Sequence, residues 1–331
     1  MKVVVVTTSY PTPEHPVAGN FVASAVDAVR ANGVDVDVVS PARVRHFGIA
    51  YGGGIVQNLR TARWKAALLP AFVVSFAWEA RRAARDADLV HAHWIPSALA
   101  ARASGKPYLL QVWGTDIVLA RRFPALARPL LRGAQVVLAA STFLADEARA
   151  LGAREVLVIP TGVDLPERVA APDDPPHVLF AGRLSEEKGI LEFLAATEGM
   201  SRVVVGDGPL RDRVPEAVGF VPPSEMGSWY ERAAVVCVPS RREGYGMAAR
   251  EAMAYGRPVV ATRVGGLADL GAGSVLVPPA DVGALREAVG ALLADESRRV
   301  ELGREARTGA VSHPDAGAAL AGVYREYHRT R

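Results

Sequence analysis

Phe180-Ala-Gly-Arg-Leu-Ser-Glu-Glu-Lys-Gly-Ile190 closes an apolar run at 178–181 and opens a helical pattern. A strand that runs through a glycine turn into a helix is the joint of a βαβ unit, so this stretch decides the fold class. Arg183 and Lys188 lie in the turn, beside the free N–H groups of a helix start. That combination suits a diphosphate. Arginine grips phosphate with a planar fork, and lysine adds a mobile point charge. Glu186 and Glu187 also offer Lys188 a local ion-pair partner, the bland reading of the same residues.

Further along lies Glu243-Gly-Tyr-Gly-Met-Ala-Ala-Arg-Glu251, two carboxylates eight positions apart around a Gly-X-Gly turn. A helix starting near Gly246 puts Glu243 just before it and Glu251 about one and a half turns inside. Its first N–H groups favour an anion. The carboxylates then face sugar and ribose hydroxyls, or they are merely a capping acid and a solvated glutamate. Diphosphate plus polyol points to a nucleotide sugar. Gly206-Asp207-Gly208-Pro209 follows another apolar run. It lacks the third glycine of a dinucleotide fingerprint and reads equally well as an ordinary turn.

Outward from these motifs, apolar runs alternate with helical patterns. Strands are expected at 3–7, 34–40, 89–93, 108–112, 136–139 and 156–159, with helices at 21–31, 61–85, 97–103, 117–131 and 142–151. Val-rich runs without alternation mean burial on both faces, hence parallel sheets covered by helices. Residues 166–176 are rich in proline and charge and read as a linker. Strands resume at 178–181, 202–206, 217–221, 235–239, 258–262 and 275–277. Helices are expected at 189–196, 224–232, 247–255, 282–294, 297–308 and 316–329. The expected architecture is α/β: a Rossmann-like domain over 1–165, the linker, and a second one over 177–314, facing each other across a cleft. The helix within 315–331 is expected to dock back on the first domain.

The chain has 331 residues, half of them hydrophobic, enough for two full cores. One cysteine, Cys237, excludes an intrachain disulfide framework and a cysteine-based zinc site. No apolar stretch reaches bilayer-spanning length, and the amino terminus reads as a buried strand, so a cytoplasmic location is expected. Residues 1–170 hold 19 Lys/Arg against 13 Asp/Glu, while the remainder holds 19 against 22. A basic first half suits an anionic surface or a phosphorylated acceptor; scattered solvated arginine explains it equally well. No basic run is interleaved with aromatics, so nucleic acid is not an expected partner.

Gly182-Arg183-Leu184, Lys188-Gly189 and the Glu243/Glu251 pair resemble the donor-binding domain of the retaining GT-B glycosyltransferases of family 4. Pro160-Thr-Gly-Val-Asp164, Gly206-Asp-Gly-Pro209 and Gly256-Arg-Pro-Val-Val-Ala261 extend the match. The resemblance covers nearly the whole chain and is tightest over 160–280. It implies that Arg183 and Lys188 bind the donor diphosphate, Glu243 the donor sugar and Glu251 the ribose. Backbone of Gly244, Tyr245, Gly246 and Met247 would join them. Gly182, Gly206, Asp207, Gly208 and Val221 complete the implied donor site. In the first domain Pro16-Val-Ala-Gly19-Asn-Phe21 resembles the family's glycine loop, with Ala18 replacing one glycine and Gly19 remaining. Val90-His-Ala-His93-Trp94 resembles an acceptor-facing segment, with His93 the candidate and a structural histidine the alternative. Asp116 is a further catalytic candidate, or a helix cap.

One departure stands out. Trp113 in Gln111-Val-Trp-Gly-Thr-Asp116 occupies the place of a family histidine that touches the donor sugar, often at its C6 hydroxyl. Tryptophan donates one hydrogen bond and accepts none. A donor without a demanding C6 hydroxyl, or one stacked on the indole, is the expectation.

The resemblance implies metal-independent transfer with retention, no cofactor beyond the nucleotide-sugar co-substrate (UDP-sugar favoured), and a small-molecule, glycan or lipid-linked acceptor. Another GT-B enzyme such as an epimerase, or a degenerate nucleotide-sugar-binding subunit, stays open at this point. The aromatic and basic segment at 61–85 either packs into the core or makes peripheral membrane contact.

Overall fold

The computed structural model describes residues 1–51, 54–312 and 315–329. Contacts divide the chain into two units. The first runs from Met1 to Gly162 and takes in the last helix; the second begins at Val163.

In the first unit the strands are β1 Lys2–Thr7, β2 Asp35–Val39, β3 Leu89–His93, β4 Tyr108–Val112, β5 Val137–Ala139 and β6 Val156–Val158. They form one sheet in the order β2-β1-β3-β4-β5-β6, every pair parallel. The covering helices are α1 Asn20–Ala31, α2 Ile55–Thr61, α3 Leu69–Ala83, α4 Ser97–Ala103, α5 Thr115–Arg122, α6 Pro124–Gly133 and α7 Thr142–Ala150. β1, β3 and β4 are buried almost throughout because helices cover both faces, which is why their sequences do not alternate.

The second unit repeats the winding. Its strands are β7 Val178–Ala181, β8 Arg202–Val205, β9 Val235–Val238, β10 Val259–Thr262 and β11 Ser274–Val277, in the order β11-β10-β9-β7-β8 and again all parallel. Helices α8 Ile190–Ala196, α9 Met226–Arg232, α10 Met247–Ala254, α11 Val282–Ala294 and α12 Glu296–Val311 cover it. Cys237 is a buried core residue of β9, and burial pushes its thiol pKa up. α13, Ala316–Arg329, packs on α1 with Gly317 against Ala28, and its Tyr324 is buried in the first core.

In both sheets the chain winds outward in opposite directions from one place, between β1 and β3 and between β7 and β9. Ligands of open α/β sheets bind outside the strand carboxyl ends at such switch points.

Three expectations are corrected. The single helix expected at 61–85 is the last residue of α2, a 3-10 stretch at Arg63–Leu68 and then α3, because Pro70 has no N–H and starts a helix rather than continuing one. Its aromatics also divide: Phe72 and Phe76 are buried, whereas Trp64 and Trp78 are 67% and 64% exposed. The helix at 117–131 is α5 and α6, broken at Pro124. The strand at 217–221 is absent: its only bridge is Gly206 to Gly219, antiparallel. Pro215, Pro222 and Pro223 deny that segment a ladder, and Arg211 takes the carbonyls of Val214 and Ala217 instead. The proline-rich segment at 166–176 lies on the second unit. Arg257 donates to the Ala170 carbonyl, Arg307 to that of Pro166, and Arg232 pairs with Asp173 at 2.9 Å.

Candidate active site

The loops leaving β7 and β9 meet at the switch point of the second sheet. Lys188 Nζ lies 2.7 Å from Glu243 Oε2, so the two carboxylate and cation motifs form one cluster. The local acids do not take Lys188. Glu187 pairs with Arg242 at 3.0 Å, and Arg241 donates through Nε to Glu192 at 2.6 Å. The Arg241 N–H also donates to the Glu187 carbonyl. Arg183 is exposed and has no ion pair among the described residues.

Two glycines make this approach feasible. Gly189 has φ 71°, and a Cβ there would fall 2.0 Å from the Pro239 carbonyl oxygen. Gly206 has φ 139°, and its Cβ would fall 1.8 Å from the Gly182 oxygen. The strand-end turns at 182–184 and 206–210 are therefore zipped backbone to backbone. Gly182 N–H donates to Val205, Leu184 N–H to Asp207, and Leu210 N–H to Leu184. Gly208 N–H donates to the Asp207 carboxylate at 2.6 Å. Asp207 and Gly208 thus shape the turn that carries Arg183.

Gly246 precedes α10, whose first N–H groups lack intrahelical acceptors. The loop from Glu243 to Met247 is braced from the far side: Gly266 N–H donates to the Glu243 carbonyl, and Arg250 donates to the Tyr245 and Gly266 carbonyls. The Arg250 guanidinium also stacks on the Tyr245 ring, 4.2 Å from its centroid. Gly244 lies in the same loop. Glu251, one face along α10, accepts from Tyr230 Oη at 2.7 Å. Burial raises its pKa, the Tyr230 bond opposes that, and Asp164 adds to it. Val221 packs on the core beside Tyr230 and Trp229 without strand pairing.

In the first unit the corresponding strand end is held by hydrogen bonds rather than ion pairs. His93 is buried at the end of β3, and Trp113 Nε1 donates to its Nδ1 at 3.3 Å, with the rings stacked 5.8 Å apart. A ring nitrogen that accepts carries no proton, so His93 holds its hydrogen on Nε2. Burial and neighbouring His91 push its pKa well below the usual range. His91 in turn bonds the Tyr324 hydroxyl at 2.6 Å, and burial lowers it to about 3. Phe21 lies edge-on to both Trp94 and Trp113. Gly19 sits buried against the Ser9 backbone and precedes α1. Asp116 is buried and accepts the N–H groups of Ile95, Trp113, Gly114 and Ile117. Its carboxylate therefore fixes the turns that present Trp94 and Trp113.

A family model described as glycosyltransferase family 4 matches residues 18–167, and one described as glycosyl transferases group 1 matches 175–295. A D-inositol 3-phosphate glycosyltransferase of Xylanimonas cellulosilytica is 32% identical, over 76% of this chain and 75% of that one. The chain belongs to glycosyltransferase family 4. A teichuronic acid biosynthesis glycosyltransferase of Bacillus subtilis, TuaC, described as putative, is 27% identical over 99% of this chain and 98% of its own. Sucrose-phosphate synthase from Thermosynechococcus elongatus superimposes with a TM-score of 0.81 at 20% identity, covering all of both chains. Anabaena HepE, solved in complex with UDP-glucose, gives 0.73 at 18% identity over 99% of this chain and 100% of that one. These likenesses establish two Rossmann-like units of GT-B type, and the protein is a glycosyltransferase.

Residues that this glycosyltransferase adds to the motifs are Arg241, Tyr230, Arg250 and Asp116's partners Ile95 and Gly114. Arg241 and Arg242 directly precede Glu243, a signal visible in the sequence. Nothing in the sequence ties Tyr230 to Glu251.

Proposed function

We propose that this glycosyltransferase takes its sugar from a nucleoside diphosphate sugar, preferably UDP-linked, and transfers it with retention and without a metal ion. The observation that carries the reading is the Lys188–Glu243 ion pair, which sets a cation and a carboxylate at one switch point, with Arg183 on the same loop as Lys188. Arg183 and Lys188 hold the diphosphate, aided by the amino end of α10, and Glu251 holds the ribose. Glu243 orients Lys188 and receives a sugar hydroxyl. As the bond from the anomeric carbon to the diphosphate oxygen breaks, its electron pair and charge pass to the diphosphate beside these cations. The acceptor oxygen bonds the same face, and its proton passes to the departing oxygen. The UDP-glucose held by HepE supports the choice of base.

Trp113 bears on the sugar. Its single N–H is engaged by His93, which leaves no indole donor for a C6 hydroxyl. A pentose or 6-deoxyhexose donor follows. Comparison of UDP-glucose, UDP-xylose and a 6-deoxyhexose donor tests it, and strict preference for the hydroxylated hexose overturns it.

The acceptor side is lipid-linked or glycan. Exposed Trp64, Val74 and Trp78 beside Arg63, Lys65, Arg81 and Arg82 support peripheral contact with an anionic bilayer. No helix among the described residues is long and apolar enough to cross a membrane. Loss of vesicle binding in Trp64→Ala/Trp78→Ala is expected.

The central test is donor hydrolysis and thermal shift across UDP- and GDP-sugars, with and without EDTA, followed by NMR of the product anomer. Stabilisation by one nucleotide and EDTA-resistant transfer with retention are expected. Inversion, or loss of transfer with EDTA that added metal restores, overturns the corresponding part.

A further inference from the structure

At the opposite end of the first sheet's strands, where β4 begins, lies a depression of about 590 Å³ lined by Arg102, Arg128, Arg132, Arg154 and Tyr108. All four arginines are exposed, and no carboxylate lines the depression. Arg102 makes one long bond, 3.4 Å, to the Pro129 carbonyl. Among the described residues the side chains of Arg128, Arg132 and Arg154 have no hydrogen bond or ion pair. Arg128 and Arg132 lie side by side over Gly152. The nearby acids are taken elsewhere: Asp146 by Arg149, Glu147 by Arg121 and Glu155 by Tyr327.

Two helices, α4 and α6, end here. Their carboxyl ends each supply about half a negative charge. Against four guanidinium groups that leaves roughly three positive charges uncompensated on one small surface. Ordinary helix-end compensation would need only one or two arginines. The floor is Tyr108, whose hydroxyl is committed to the Leu130 carbonyl. It lies so close to Gly133 that a Cβ there would fall 2.7 Å from the hydroxyl.

We propose that this depression binds a multivalent phosphate anion, free or carried on a lipid headgroup. Forked guanidinium groups match phosphate oxygens, and a doubly or triply charged ligand balances the site where a lone carboxylate would not. The site lies at the strand amino ends, whereas His93 and Trp113 lie at the carboxyl ends of β3 and β4. It is therefore separate from the candidate active-site groups of the same unit.

The test is calorimetric titration with inorganic pyrophosphate in the full chain carrying Arg183→Gln/Lys188→Gln, which silences the proposed donor site. One pyrophosphate should bind. Adding Arg128→Gln/Arg132→Gln should weaken it by about tenfold or more without lowering the thermal midpoint. Ala125→Glu, which keeps every arginine, should weaken it likewise. Phosphatidic acid vesicles, whose headgroup is a phosphomonoester, and phosphatidylcholine vesicles form the second arm. Arginine-dependent binding to phosphatidic acid vesicles alone identifies a headgroup, and arginine-dependent pyrophosphate binding identifies a free phosphate. No binding of either probe, or binding unchanged in both variants, overturns the proposal.

Discussion

The two switch points share one winding and differ in chemistry. At β7/β9 the loops are tied by charge, through Lys188–Glu243, Arg242–Glu187 and Arg241–Glu192. At β1/β3 and the adjoining end of β4 they are tied by hydrogen bonds without an ion pair, through the Trp113–His93 bond and the four N–H groups on Asp116. The ion pairs are partly exposed, and such pairs contribute only about 0–1 kcal/mol each. They set the geometry of the loops more than their stability. In the first unit the acceptors His93 and Asp116 are buried, so each of their bonds answers a desolvation cost. One winding thus carries an edge held by ion pairs in one unit and an edge held by hydrogen bonds to buried acceptors in the other.

The sharpest way to break the contrast is at the charged edge. Arg183→Ala or Lys188→Ala should lower kcat/KM by about 10²–10³, the scale of a lost donor to a developing anion. Because Arg183 is exposed and has no ion pair among the described residues, the thermal midpoint of its variant should hold. Equal loss in midpoint and activity would make Arg183 structural.

Gly189→Ala comes next. The positive φ alone costs about 1–3 kcal/mol, and the contact with Pro239 adds to it. Denaturant unfolding should show that loss confined to the second unit; an unchanged midpoint would show that the two loops separate freely.

The histidines of the first unit answer to pH. His91 has a folded pKa of about 3 against an ordinary 6.5, so below 6.5 the unfolded chain binds the proton first. Its neutral form contributes stability that is complete above 6.5 and is lost as pH falls towards 3. His93 shifts the same way. The thermal midpoint should fall over that window, and His91→Gln should flatten the fall. An identical slope in the variant would place the acid sensitivity elsewhere.

The smallest effect is expected at Trp113→Phe. It removes the N–H that holds His93 in one tautomer, at about 0.5–1.5 kcal/mol or less. Nitrogen-15 shifts of His93 should move from a single Nε2–H form to a mixture. A retained single form would mean that another contact sets the tautomer.

Much of this was legible in the chain. Continuous apolar runs at Val3–Val6 and Val235–Val238 announced buried parallel strands, and Arg183, Lys188, Glu243 and Glu251 stood out by residue type and spacing. Proline misled in opposite ways. Pro70 and Pro124 started new helices where periodicity ran on unbroken, while residues 217–221 kept a strand-like apolar look without a ladder to join.

Local sequence determined the elements, because burial on one or two faces and the shape of each turn are written within a few residues. It also supplied the cations and carboxylates, since charge belongs to a residue type. Only the tertiary structure decided which of them meet. Lys188 chose Glu243 over Glu186 and Glu187, Tyr230 reached Glu251, and Trp113 spent its one N–H on His93. Those choices depend on which strand ends the sheet order places side by side, and separation along the chain carries no record of that order.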